Sequence, residues 1–300
     1  WRFGRFLEAI GLTREDIEQN TFAYHFTPAG AMFEAAARAV GAVVFTAGTG
    51  NTAQQAEVAA AIGTTTYAGT PDFLMKILEK GDAAGLDLSR ITKAVVSAGP
   101  LFPQLRQAYS DRNILCRQCY GTADVGLISY ETADCTDGMF VDDGVILEIV
   151  SPGTGDPVER GEIGEVVVTV LNPDYPVLRF STGDLSAFAD SAANGPERIV
   201  GWRGRADQAT KVKGMFIRPE QVSALVKAHP TIDRARVEVS FDGQSDQISV
   251  KLECSDGDAE ALGPAVHAAL KLRSTVIIVP PGALPRDGIL VADLRDPSGP

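Results

Sequence analysis

Three short stretches bring together residue types that could bind a nucleotide and activate an acid. Tyr120-Gly121-Thr122-Ala123-Asp124-Val125-Gly126 joins an aromatic ring to a carboxylate through a glycine turn. A planar ring can cover a purine face, and a carboxylate is a hard oxygen ligand suited to magnesium bridging phosphates. A second stretch, Tyr175 to Asp184, ends in Thr182-Gly183-Asp184. That is a common turn, but its carboxylate offers two acceptor oxygens, enough for two neighbouring hydroxyls. The third runs from Arg198 through Trp202, Arg205 and Asp207 to Lys211-Val212-Lys213-Gly214-Met215-Phe216-Ile217-Arg218-Pro219-Glu220. Taken alone, its Lys-x-Lys is a solvated charged face. Between the first stretches and the N-terminus, Ser97-Ala98-Gly99-Pro100 is a loop of small residues that lets a main chain come close to a flat ligand. Phe22-Ala23-Tyr24-His25-Phe26 gathers aromatics around a histidine, and an aromatic-lined pocket suits a planar, apolar acid. A histidine in such company is more often a hydrogen-bonded core residue.

These residues need elements to position them. From residue 43 to 120 short apolar runs alternate with helical patterns: a buried strand Val43–Thr46, a helix Ala53–Ile62, and a strand Thr64–Ala68. A helix opened by Thr70-Pro71 follows, with Phe73, Leu74, Ile77 and Leu78 as its apolar stripe, and then a strand Ala94–Ser97. The alternation predicts a mostly parallel sheet with helices on its faces, and ligands at the loops beyond the strands' carboxyl ends. Those loops are Ala47–Asn51, Ala98–Pro100 and Gly121–Asp124. After about residue 138 the pattern turns to strands and tight turns, a β-rich subdomain containing Val145–Val150 and Glu165–Leu171. Beyond residue 207 a small α/β unit follows: a helix after Pro219, strands Ala235–Phe241 and Ile248–Cys254, a helix Ala259–Leu270 and a strand Thr275–Val279. The expected division is therefore 1–204 and 205–300.

Composition excludes several classes. The 300 residues are 45% hydrophobic and 22% charged, as in a folded globular protein, and suffice for two cores. A net charge of -12 would repel a phosphate backbone, so nucleic acid is not the expected partner. No apolar run reaches the length of a membrane span and no signal core is evident, so a cytoplasmic location away from the membrane is expected. The 4 cysteines are too few to staple a chain this long. Cys116 and Cys119 lie in a strand pattern whose period sends them to opposite faces, which argues against a shared metal.

The three stretches, in this order, resemble the core motifs of the adenylate-forming superfamily of acyl-CoA synthetases, luciferases and adenylation domains. The third resembles most the phenylacetate–CoA ligase version. The resemblance covers nearly the whole chain. It implies that Tyr120 stacks on adenine, with Gly121, Thr122 and the backbone of Ala98, Gly99 and Pro100 alongside. Asp124 would help hold Mg, Asp184 would bind the ribose hydroxyls, and Arg205 would add a ribose contact. The family usually has glutamate after serine or threonine where this chain has Ala123-Asp124. Tyr24, His25, Phe26, Ala98 and Gly126 would line the acyl pocket, and Gly48–Thr52 resembles a loop of the phenylacetate branch. Asp207 would be the hinge of a mobile small domain, with Lys213, Gly214 and Met215 bordering the CoA tunnel.

Two family parts do not occur in these 300 residues. The first is the serine-threonine-glycine loop ending in lysine that cradles ATP phosphates; the resemblance places it upstream of residue 1, so a longer protein is expected. The second is the adenylation lysine after Asp287-Gly288, where this chain has Ile289 and no lysine after Lys271. An isoleucine cannot supply an ammonium to the charge developing on the α-phosphate. The implied activity is ATP-dependent ligation of an aryl or arylacetic acid to CoA through an acyl-adenylate, with ATP/AMP, Mg and CoA as cofactors and adenylation impaired by Ile289. A nucleotide-binding homologue and an enzyme loading a carrier protein stay open beside it, as does a homodimer.

Overall fold

The computed structural model describes residues 2–152, 154–190, 195–206, 208–213, 215–255, 257–285 and 289–295. The chain forms two compact units, Trp1–Arg203 and Gly204–Asp296. The first begins α1 (Arg2–Ala9), β1 (Ile17–Asn20), α2 (Ala29–Val40), β2 (Val43–Thr46), α3 (Thr52–Ile62) and β3 (Thr66–Gly69). It continues α4 (Pro71–Ala83), β4 (Lys93–Val96), α5 (Pro103–Asp111) and β5 (Leu115–Thr122). Strands β6 (Gly126–Thr132), β7 (Cys135–Val141), β8 (Val145–Val150), β9 (Gly164–Val170), β10 (Val177–Ser186) and β11 (Arg198–Ile199) complete it.

An eight-stranded sheet in the order β11-β7-β6-β5-β4-β3-β1-β2 carries the first unit. It is parallel from β2 through β1, β3 and β4 to β5, and antiparallel from β5 onward. The parallel half has the alternating helices that the sequence predicts, because each crossover must return the chain to the same end of the sheet. In α4 the stripe works as expected: Leu74 and Ile77 are fully buried and Leu78 nearly so. Each such side chain contributes about 1.5–3 kcal/mol by leaving water. Val95, Ala68, Cys119 and Leu127 from the sheet meet Phe6 and Leu7 of α1, Ile10 just after it, and Phe33, Ala36 and Ala37 of α2 in one core. The β-rich subdomain is the antiparallel sheet β10-β9-β8, whose valines 166, 168 and 170 pack on Val125, Ile128 and Ile149.

The second unit is built from β12 (Thr210–Val212), β13 (Met215–Ile217), α6 (Pro219–Ala228), β14 (Arg234–Phe241), β15 (Asp246–Glu253), α7 (Ala259–Leu270), β16 (Thr275–Val279) and β17 (Val291–Asp293). Its sheet β16-β15-β14-β17 is covered by α6 and α7 around a core that includes Val237, Val250, Leu252, Val222 and Val266. Among the elements of the first unit that the residue pattern does not announce are β1 and α2. Strand β1 reads Ile-Glu-Gln-Asn, yet it lies between β3 and β2, and Glu18, Gln19 and Asn20 are all fully buried. Helix α2 is alanine-rich and follows Pro28, so no clear periodicity announces it.

Candidate active site

The Tyr120 stretch is a β-hairpin, where the sequence suggested a loop leading from a parallel strand. Tyr120, Gly121 and Thr122 end β5, and the chain returns antiparallel as β6 with Thr122 opposite Gly126. A side chain at position 121 would come 2.6 Å from the Gly126 carbonyl oxygen, so the close approach of the two strands requires glycine. Thr122 Oγ1 accepts from the Val125 amide at 3.3 Å and tightens the turn. Asp124 stands exposed at its tip.

From β10, 64 residues away in sequence, Asp184 meets this hairpin: the Tyr120 hydroxyl donates to its Oδ2 at 2.9 Å. The other oxygen, Oδ1, accepts from Trp202 Nε1 at 3.2 Å. Below, the Asp184 amide donates to Thr182 Oγ1 at 3.1 Å, and that hydroxyl donates to the Val166 carbonyl at 2.9 Å. The tyrosine and tryptophan donors orient the plane of the carboxylate, and the threonine fixes its backbone. The residue pattern alone gives Trp202 no role. Its signal was an indole, donor-only and amphipathic, inside a cationic run.

The loop of small residues after β4 is tied to β5: Ser97 Oγ donates to the Cys119 carbonyl at 3.0 Å, and Ala98 adopts a left-handed φ of 66°. Ala98, Gly99 and Pro100 are half-buried. Cys116 and Cys119 are buried on opposite faces of β5, and burial pushes both thiols up to about 12. They are held as neutral core groups. Among the described residues no group of three histidine, cysteine or acidic side chains could hold a metal, and Asp124 stands outside any such group.

The aromatic segment divides. Phe22 is buried and stacks on Phe33 with ring centroids 4.4 Å apart, while Tyr24, His25 and Phe26 are exposed. His25 is therefore no core histidine, because the chain has left the sheet by residue 24. Tyr24 and His25 line a cleft of about 610 Å³ together with Glu34, Arg38, Val44 and Gly48. Phe26, Ala98 and Gly126 are not among its lining residues; Gly126 instead faces Arg2 and Phe3. The Arg2 guanidinium donates to the carbonyls of Leu127, at 3.1 Å, and Val125. The expected acyl-pocket set is thus brought together only in part.

In the second unit, β12 and β13 form a hairpin in which Lys211 pairs with Phe216. Val212 and Ile217 turn into the core, while Arg205, Lys211 and Arg218 lie 5.1, 5.6 and 5.2 Å from the centre of the Phe216 ring. Lys213 and Met215 are exposed at its tip. Ile289 is 38% exposed, and its carbonyl accepts from Arg236 at 3.3 Å. The expected hinge Asp207, the loop residue Gly214 and the pair Asp287-Gly288 lie outside the described residues.

This fold is shared with solved adenylate-forming enzymes. A structure of 2-hydroxyisobutyryl-CoA ligase superposes with a TM-score of 0.82 at 19% identity, covering 98% of this chain and 68% of that one. An amide bond synthetase from Marinactinospora thermotolerans gives 0.71 at 19% identity, covering 96% and 62%. Sequence carries the assignment further. The family model described as AMP-binding enzyme matches residues 9–170, more than half of the chain. The chain belongs to the AMP-binding enzyme family. Curated relatives that it matches include the phenylacetate-coenzyme A ligase of Escherichia coli (strain K12), 27% identical over 97% of this chain and 72% of that protein. The phenylacetate-coenzyme A ligase of Thermus thermophilus is 24% identical over 94% of this chain and 71% of its own length.

Proposed function

We propose that this chain carries the nucleotide- and acid-binding part of an AMP-forming acid–CoA ligase acting on aryl or arylacetic acids. The observation that carries the reading is the meeting of Tyr120, Asp184 and Trp202, three residues whose sequence motifs match the nucleotide site of the superfamily. A carboxylate offers about four acceptor positions, so the donors from Tyr120 and Trp202 orient Asp184, and its oxygens are of the kind that accept from two ribose hydroxyls. The half-buried loop 98–100 supplies main chain beside the base.

Asp124, exposed at the hairpin tip, is the residue that would hold magnesium. Magnesium usually takes one or two carboxylates with substrate phosphates and water, so a lone carboxylate suits it, and the bound ion would neutralise phosphate charge. Tyr24 and His25 contribute to the acid site through their cleft. Lys213, Gly214 and Met215 keep the CoA role, and Arg205 the ribose role, that the resemblance gives them, with Asp207 as the hinge, and the setting is cytoplasmic. Adenylate formation is slow in this chain, because Ile289 stands where the family has the lysine that stabilises the α-phosphate.

A nucleotide-binding protein without ligase activity is the second reading, favoured by Ile289 and by Ala123 where the family has serine or threonine. Supplying a chemically made acyl-adenylate with CoA and following AMP release separates the two: release supports the ligase. Ile289→Lys, assayed in protein that also carries a phosphate loop, should raise pyrophosphate exchange roughly a hundredfold, the scale of one preorganised electrostatic donor. If both assays stay silent, the binding-protein reading replaces the ligase.

A further inference from the structure

The loop that follows β2 walls the cleft of Tyr24 and His25 with Ala47, Gly48 and Thr49. Within it Gly48, Gly50 and Asn51 have φ of 68°, 79° and 49°, three left-handed residues in four positions. Glycine takes that conformation freely and asparagine at a cost, so the loop needs ties to hold one shape. The amides of Ala47 and Gly48 both donate to the Asn20 carbonyl, at 2.9 and 3.0 Å, which fixes where the loop leaves the sheet.

One side chain of α3 fixes the rest. Gln55 is 4% exposed, and its Nε2 donates to the Gly48 carbonyl at 2.9 Å and to the Gly50 carbonyl at 2.8 Å. Both partners are acceptors, so the amide nitrogen must face the loop. The amide oxygen then faces inward, where it accepts from Gln19 Nε2 of β1 at 2.7 Å. The backbone amide of Gln55 adds a bond to the Asn51 carbonyl at 2.9 Å, so a single residue holds three carbonyls of the loop. A buried amide whose donors and acceptor are all used specifies one backbone arrangement, whereas an apolar side chain there would only fill space. Gln55 is not among the residues lining the cleft; its effect reaches the cleft through the loop's main chain.

We propose that Gln55 is a positioning residue of the acid site: by clamping the Gly48 and Gly50 carbonyls it holds the 47–49 wall of the cleft in the shape that receives the acid. The inference rests on the ligase reading for the acid and goes beyond it by naming a residue on which that site depends without touching its ligand. Without the clamp the loop samples other shapes, and a cleft competent for only part of the time binds its acid more weakly in proportion. Tyr120 and Asp184 take their places from β5 and β10, and Trp202 follows β11, so AMP binding does not depend on the clamp.

Titration calorimetry of AMP alone, and of phenylacetate with AMP present, tests this on the whole chain and on Gln55→Met, Gln55→Glu and Gln19→Leu. Methionine has a similar length and no donor, and an ionised glutamate keeps the shape but offers only acceptors. Gln19→Leu breaks the same buried pair yet leaves Gln55 both of its loop bonds, so it reproduces the structural cost alone. Both Gln55 forms should bind phenylacetate roughly tenfold or more weakly, the effect of a loop in its binding shape about a tenth of the time, with AMP affinity unchanged. Gln19→Leu should keep both affinities. Amide hydrogen exchange at Ala47 and Gly48 should quicken in the Gln55 forms and not in Gln19→Leu. Either Gln55 form decides by itself if the other does not fold. Unchanged phenylacetate affinity in the Gln55 forms, an equal loss in Gln19→Leu, or a parallel loss of AMP affinity overturns the inference and leaves the ligase reading in place. Failure of the unsubstituted chain to bind phenylacetate while it binds AMP overturns both.

Discussion

Two carboxylates of the first unit, Asp184 and Glu18, sit in opposite circumstances. Asp184 is half-buried on β10 with a tyrosine donor on one oxygen and a tryptophan donor on the other. Glu18 is fully buried on β1 with neither oxygen bonded. The first is an oriented acceptor, able to act as soon as hydroxyls arrive. The second, buried with neither oxygen bonded, destabilises its surroundings. The difference shows that a carboxyl's chemistry is set less by its own identity than by which donors the fold brings within about 3 Å.

The contrast is broken most severely at Asp184. Asp184→Ala should weaken AMP binding by about 1.5–3 kcal/mol, the range for hydrogen bonds to a charged group, with little change in stability. Unaltered AMP affinity in titration calorimetry would remove the ribose assignment. At Glu18 the sign reverses: Glu18→Leu should stabilise the first unit by about 1–3 kcal/mol in urea denaturation, since an unsatisfied buried group costs that much. A loss of stability there would mean that Glu18 has a structural partner after all.

The pH dependence sharpens the difference further. Folded Glu18 keeps its proton up to about 8, whereas in the unfolded chain it ionises near its ordinary 4.5. Between those values the unfolded state binds fewer protons, so this group's contribution is fully present below about 4.5 and is lost as pH rises toward about 8. Glu34 with its partner Arg38, from α2, and Tyr24, from the loop before it, are the titratable groups facing Glu18; Val44 and Thr66 on the flanking strands carry no charge. The slope can reach about 1.4 kcal/mol per pH unit, and comparing denaturation at pH 5 and pH 7.5 for the unsubstituted and Glu18→Gln forms should show it only in the former. The smallest effect belongs to Tyr120→Phe, which removes one donor from Asp184 but keeps the ring. AMP binding should weaken by about 1 kcal/mol, and an effect as large as that of Asp184→Ala would show that the hydroxyl, not the ring, is what the nucleotide uses.

Much of this organisation was written in local pattern. Helices α3, α4 and α7 and strands β2, β4, β8, β14, β15 and β16 lie where apolar spacing and caps predict them, because those cues act within a few residues, although β2, expected to be buried, is an edge strand with Val43 exposed. The motifs around Tyr120, Asp184 and Trp202 were likewise readable as residue types, although their hairpin and hydrogen bonds were not. Strand β1 escaped because the strand cue is apolar alternation, and Ile17-Glu18-Gln19-Asn20 offers almost none. The exposure of His25 escaped for a related reason: neighbouring aromatics suggest a core but do not say where the chain leaves it.

By itself the sequence determined which side chains were available, the helix and strand periods that present them, and the family whose motifs they match. Only the tertiary structure decided that Tyr120 and Asp184, 64 residues apart, are within hydrogen-bonding distance, and that Glu18 is sealed between β2 and β3 beside an open cleft. The reason is that sheet order and the packing of α2 over β1 arise from pairings distant along the chain. Local period fixes the face toward which a residue points, whereas burial and the presence of a donor depend on what packs opposite that face.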